Sequence, residues 1–263
     1  MTSTVRRAGA RVGFALFFAV AFAALPPVAS AQGPWKVLFD GKDLSNFTII
    51  PWAWIFSSGA DDARRGGPPP ASSGWRVESG VIIGGGQTPG SDALATNDKY
   101  FDFDLELDFL LGEIEGVKCS EELGPKQESL SDPACTANSG IQFRRGYQLN
   151  IGRREGGEYI GLVVHRVDPK AIRGRVFWLS YGDRAFPNLR KRRDWNALRI
   201  TVKGDHHQAW LNGTKIVDVT DKSTLESEAT WRQPQPLLIQ MPTESSPSAA
   251  VTIKYRNIRV RTL

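Results

Sequence analysis

Asn138-Ser-Gly-Ile-Gln-Phe-Arg-Arg-Gly-Tyr-Gln-Leu-Asn-Ile151 holds two runs of alternating side chains, Ile141 and Phe143 in the first and Tyr147, Leu149 and Ile151 in the second. Arg144, Arg145 and Gly146 lie between them, a pattern that predicts an antiparallel hairpin in the middle of a sheet. The apolar set faces a core. The other face then carries Gln142, Arg144, Gln148 and Asn150, a row of long polar side chains that is either a grip for a hydroxyl-rich ligand or a solvated sheet surface.

The same period recurs on both sides of this hairpin. Phe101, Phe103, Leu105, Leu107 and Phe109 alternate with Asp102, Asp104, Glu106 and Asp108, and only a strand puts the first set on one face. Glu106-Leu-Asp108 resembles the start of the paired-acid motif of jelly-roll glucanases. Glu113 lies beyond Gly112, too late to complete that motif on one strand face, and acids alternating along a strand equally serve a solvated surface. Farther on, Asn196, Leu198, Ile200 and Val202 share a face, Gly204-Asp205 turns the chain, and Asn212-Gly213 is a second hairpin turn. Trp35 to Phe39, Gly74 to Ile83 with its turn at Ser79-Gly80, Tyr159 to His165, Leu237 to Gln240 and Val251 to Val260 read as further strands. No segment has the pattern of a long amphipathic helix. The inventory predicts an all-β, two-sheet antiparallel jelly-roll sandwich of about a dozen strands.

Residues 1–31 read as a signal peptide: Arg6, Arg7 and Arg11 precede an apolar run from Val12 to Leu25, and Ala29-Ser30-Ala31 is a small-residue cleavage site. Residues 32–263 then form one domain with loop insertions near 57–73 and 112–137, exported to a periplasmic or extracellular space without stable insertion in a membrane. The leader contributes three Arg and no acid, so without it the net charge falls from +5 to +2. A nucleic-acid partner, which needs a basic footprint joined to a reading module, is not expected. Cys119 and Cys135 both fall in the second insertion and would close a disulfide in an oxidising compartment. His206 and His207 are adjacent and point to opposite faces of a strand, so they make no metal pair. No cofactor is expected, while a divalent metal held by scattered carboxylates stays open.

Several blocks, taken in order, carry a family resemblance. They are Leu38-Phe-Asp-Gly-Lys-Asp-Leu44, Gly74-Trp75 with Gly80-Val-Ile82, Asn138-Ser-Gly-Ile141 with Phe143-Arg144, Gly146-Tyr147, Trp195-Asn196 with Arg199-Ile200, Trp210-Leu-Asn-Gly213 and Arg256-Asn-Ile-Arg259. The ordered set resembles the secreted family called the 3-keto-disaccharide hydrolase domain, first catalogued as a domain of unknown function. The resemblance implies a concanavalin A-like sandwich and cleavage of glycosides already oxidised to a ketone at C3. A ketone there acidifies the C2 hydrogen, and the C1 oxygen lies beta to it, so proton abstraction, elimination and water addition cleave the bond. Such a site needs a base, a partner for the enolate oxygen and an acid for the leaving group.

By this resemblance Arg144 holds the enolate or a hydroxyl, and Asn138 and Gln142 orient the ring. Glu158 or His165 is the base, and Tyr147 is the acid or a hydroxyl contact. Gln148 and Asn150 extend the polar row, and Trp210 offers a stacking platform. The chain departs from the family pattern twice. Gln148 stands where Gly-Tyr-Glu is usual, and Leu238-Ile-Gln-Met-Pro242 stands where Leu-Gln-x-His-Gly is typical. Both changes remove proton-transfer groups and point toward the alternative of a non-catalytic carbohydrate-binding module; a structural or protein-interaction domain is the third reading.

Overall fold

The computed structural model describes residues 32–51, 74–85, 92–112, 138–144, 146–154, 157–158, 160–161, 163–166, 176–178, 189–191, 193–221, 233–242 and 251–263. Sixteen strands, β1 to β16 in chain order, lie among them. One sheet contains β14 (Thr214–Thr220), β13 (His206–Leu211), β12 (Asn196–Lys203), β6 (Phe103–Leu111), β16 (Thr252–Thr262), β4 (Val81–Gly85) and β3 (Trp75–Glu78), in that order, with β1 (Lys36–Phe39) also beside β16. The other runs β11 (Val176–Trp178), β10 (Val163–Arg166), β8 (Tyr147–Arg154), β7 (Asn138–Phe143), β15 (Gln235–Gln240), β5 (Asp92–Tyr100) and β2 (Phe47–Pro51), with β9 (Gly157–Glu158) beside β8. The fold is the all-β, two-sheet antiparallel sandwich that the alternation predicts. Val176 to Leu179 reads as a short aromatic strand and contains β11, while the strand count exceeds a dozen because a piece as short as β9 has no period of its own in the sequence.

The alternating apolar sets meet between the sheets. Phe103, Leu105, Leu107 and Phe109 of β6 and Leu198, Ile200 and Val202 of β12 share one core with Ile141, Phe143, Leu149, Ile151 and Ile239 of the second sheet. At about 2 kcal/mol for each large side chain removed from water, this interior outweighs any turn preference in fixing register, because a one-residue slip would expose a whole set. Phe101 is the exception to the expected alternation: β6 begins at Phe103, and Phe101-Asp102 forms a bend with Phe101 only half-buried.

On the outer side of the first sheet the acids of β6 are paired with arginines. Asp108 accepts from Arg256 and Asn257, Glu106 from Arg259, and Asp104 from Arg261, Arg199 and Thr201. Asp104 is the buried member, its side chain 1% exposed. Burial alone would raise its pKa, but the hydrogen bonds from Thr201 and Arg261 and the charge of Arg199 outweigh it and hold the carboxyl below its ordinary 3.8. A depressed folded-state pKa stabilises the fold above the unfolded value, and that contribution is lost as pH falls through the folded one. Asp104→Asn is therefore expected to cost about 2 kcal/mol at pH 7, with the gap to wild type shrinking below pH 4. Urea titrations at both pH values check this, and an equal gap at pH 7 and pH 3 would rule it out.

Candidate functional site

The outer face of the second sheet is built from two cross-strand rungs. Thr48, Ala95, Leu238, Gln142 and Gln148 follow one another across β2, β5, β15, β7 and β8. The next rung holds Ile50, Ala93 and Gln240, continued by the paired Gly140 and Asn150. The face thus has two halves. Ile50, Ala93, Ala95 and Leu238 form a small apolar cluster, and Gln142, Gln148, Asn150 and Gln240 form a buried amide cluster. Low alanines beside amides suit a pyranose ring, which offers C–H groups to one half and hydroxyls to the other.

The Asn138-Ser139-Gly140 block builds this face from beneath. Ser139 points into the sandwich, where its hydroxyl donates to the Gln240 carbonyl at 2.6 Å and therefore accepts from Tyr255 of the opposite sheet at 2.8 Å. Gly140 points outward, and a Cβ there would lie 2.3 Å from Gln148 Nε2. Glycine lets Gln148 lie flat over β7 and donate to Gln240 Oε1 at 2.7 Å. Two atoms of the cluster are left over: among the described residues Gln142 Nε2 and Gln148 Oε1 have no hydrogen-bond partner. Both side chains belong to residues only 2% exposed. A buried polar atom without a partner costs about 1–3 kcal/mol, a cost that a ligand bringing one acceptor and one donor removes.

Arg144 does not continue this row. It sits in the hairpin turn with φ of 47°, which ends the strand alternation and swings its side chain to the end of the sandwich. There its guanidinium binds Asp102 at 2.9 Å, lies 3.8 Å from Asp205, donates to the Phe101 carbonyl and stacks over the Phe101 ring at 4.1 Å. Tyr147 lies on the inward face that the alternation predicts, away from the polar row. Its ring enters the sandwich, stacked on Phe143 and edge-on to His207, and its hydroxyl donates to Asp221 at 2.6 Å. Burial, reinforced by Asp221, pushes the phenol pKa far up, so it stays protonated.

The remaining candidates divide by position. Glu158 on β9 lies opposite Arg153 of β8, and His165 on β10 lies opposite Tyr147. Both candidates thus belong to strands paired with β8, the strand that carries Gln148 and Asn150. Asn138 opens β7, opposite Gly152. Trp210 is separated from the amides altogether: β13 is in the first sheet, where Arg199 stacks on the Trp210 ring at 5.1 Å. Grouping it with Gln142 and Gln148 fails because sheet membership is a long-range pairing that alternation does not reveal. Cys119, Cys135 and both insertion loops lie outside the described residues, apart from Gly112. Gln240 belongs to the cluster although no motif in the sequence marks it. Its signal is the alternation of Leu237, Ile239 and Met241, which leaves Leu238 and Gln240 on the outer face.

The family described as the 3-keto-alpha-glucoside-1,2-lyase-like domain matches residues 34–261, nearly the whole described sandwich. The chain belongs to this family. No curated protein sequence matches it. Among solved structures it is similar to a protein of Parabacteroides distasonis assigned to the glycosyl hydrolases, at 17% identity and TM-score 0.49, covering 88% of this chain and 94% of the other. It is also similar to the carbohydrate-binding module CBM66 of Bacillus subtilis, at 10% identity and TM-score 0.45, covering 73% and 92%. A lichenase from a mouse hindgut metagenome matches at 10% identity and TM-score 0.45, covering 88% and 99%. These are likenesses of fold. Among the described residues no group of three or more His, Cys, Asp or Glu is placed to hold a metal ion, and no helix is long and apolar enough to cross a membrane.

Proposed function

We propose that this family member is an exported enzyme that cleaves 3-keto-glycosides on the outer face of the second sheet. The observation that carries the proposal is Gln142 Nε2, a buried donor without an acceptor among the described residues, beside a strip of alanines. When the C2 proton leaves a 3-keto sugar, negative charge gathers on the C3 oxygen, and a donor fixed in a water-poor site stabilises it there. The electron pair then expels the C1 oxygen, which leaves as the alcohol by taking the proton the base removed from C2, and water adds across the C1–C2 double bond, its hydroxyl to C1 and its proton to C2. Gln148 Oε1 accepts a sugar hydroxyl, Asn138 and Asn150 orient the ring, and Ala95 and Leu238 meet its C–H face.

Amides donate hydrogen bonds but transfer no protons at neutral pH. The base therefore comes from outside the amide cluster: Glu158 and His165 lie on strands paired with β8, but opposite Arg153 and Tyr147, register positions that alternate with Gln148 and Asn150 and so belong to the other face. Tyr147 is held by Asp221 and Arg144 by Asp102, which makes them positioning residues for the β7–β8 hairpin rather than groups that touch substrate. The leader at 1–31 supports export.

One observation favours a second reading: every described polar side chain of the amide half is an amide, as a non-catalytic carbohydrate-binding module would have. Incubation with 3-keto-glucosides and their unoxidised counterparts, with and without a divalent metal, separates the two. Release of the alcohol from the keto forms alone is the expected result. Saturable binding of both sugars with no release would sink the enzyme reading and leave the module.

A further inference from the structure

The outer face of the first sheet, on the other side of the sandwich from the amides, carries a depression of about 840 Å³, within the range of roughly 300–1,000 Å³ of ligand clefts. Its wall is one cross-strand rung, Trp210, Arg199, Glu106, Arg259 and Val37 on β13, β12, β6, β16 and β1. Its floor is the next rung, where the short Ala197 stands beside Asp108 and Arg256. The floor opens for a reason visible in the backbone. Strand β16 bulges between Arg256 and Arg259, with Asn257 at φ of 54°, and the extra residue lifts that side of the sheet above Ala197.

The polar atoms in this depression are held in fixed directions and only half used. Glu106 takes both donors of Arg259 on Oε2, at 2.8 and 2.5 Å. Asp108 takes Arg256 and Asn257 on Oδ2, at 3.2 and 2.7 Å. Among the described residues neither Glu106 Oε1 nor Asp108 Oδ1 takes a hydrogen bond. The two carboxylates thus stand at alternate positions of one strand, whose Cα atoms are about 7 Å apart, each held by an arginine. The indole of Trp210 and the exposed Val37 add apolar surface on either side.

Charge selects the ligand. Asp40, Glu106 and Asp108 are balanced by Arg199, Arg256 and Arg259 around the depression, so neither a polyanion nor a cation is drawn to it. Fixed acceptors beside guanidinium donors, with an aromatic ring at the edge and no net charge, match a neutral polyhydroxyl chain that has C–H faces to stack. We propose that this depression is a second carbohydrate site, one that holds neutral pyranose oligosaccharides on the side of the sandwich opposite the amide face. It would tether the protein to a glycan while leaving that face open, and it stands whether or not the amide face is catalytic.

The test is calorimetric titration of the full chain with cellotriose, maltotriose and xylotriose, and with a trigalacturonate as the anionic comparison. At least one neutral trisaccharide should bind saturably. Trp210→Ala should weaken it about tenfold, and Ala197→Trp, which fills the floor from an exposed position, should abolish it. Glu106→Gln serves as the second variant should Ala197→Trp fold poorly. Trp210 and Ala197 both belong to the first sheet, so weakening by these two variants separates the depression from the amide face. Absence of binding by all three neutral sugars, preference for the trigalacturonate, or binding that Trp210→Ala and a folded Ala197→Trp both leave unaffected would each overturn the proposal.

Discussion

Arg144→Met is expected to lower the unfolding free energy by about 2–3 kcal/mol while leaving the turnover number of the folded fraction within a few-fold of wild type. The side chain is 4% exposed and ties the turn between β7 and β8 to the bend before β6 and the turn between β12 and β13, through Asp102 and Asp205. Removing one partner of a fully buried pair costs about 3–5 kcal/mol. Here Asp102 and Asp205 keep contact with water, at 27% and 39% exposure, and Asp102 still accepts from the Gly204 amide, so the penalty falls toward the lower end. Methionine preserves the aliphatic packing on Phe101 and meets the same positive φ as arginine, which leaves loss of the charge as the main change. Urea denaturation measures the stability, and turnover is read below the unfolding transition. A variant that keeps full stability and loses all turnover would return Arg144 to the reacting atoms and sink the clamp.

Arg144 also shows where sequence reading stops. The hairpin itself is legible, because Ile141 and Phe143 must share a face with Tyr147, Leu149 and Ile151, and burial enforces it. Extending the outward row from Gln142 to Arg144 assumes that the strand persists for two more residues. The chain instead turns at Arg144 with positive φ, and the acids it meets, Asp102 in a bend and Asp205 in a hairpin turn, lie 42 and 61 residues away in sequence, a pairing no local pattern encodes. Tyr147 is the converse case. Its inward position follows from the alternation, yet family resemblance alone gave it a role on the ligand's side. The amide cluster was half legible: Gln142, Gln148 and Asn150 are neighbours within one hairpin, whereas Gln240 joins them only through the pairing of β15 with β7. The acids of β6 read equally well as a catalytic pair or a solvated face, and the deciding fact is the row of arginines on β16.

Gln142→Leu is expected to raise stability and destroy activity together. In the folded protein Gln142 Nε2 is buried with no partner among the described residues, so the amide bears a desolvation penalty of about 1–3 kcal/mol that leucine, of similar size, does not. The change should therefore raise the midpoint of thermal unfolding. Turnover of a 3-keto-glucoside should fall by about a hundredfold or more, because the donor to the C3 oxygen is gone while the base is untouched. The loss should appear mainly in kcat, since the interaction strengthens only as charge develops on that oxygen. Binding of the unoxidised sugar, which places no carbonyl there, should change little. A residue conserving only the shape of the sheet predicts the first effect without the second. Stability that rises with kcat unchanged would leave Gln142 as a strained amide outside the chemistry, and stability that falls would mean that its nitrogen has an acceptor in the folded protein. The joint outcome, a more stable protein that no longer turns over the keto sugar, is the signature of a polar atom kept unsatisfied in the folded state until substrate arrives.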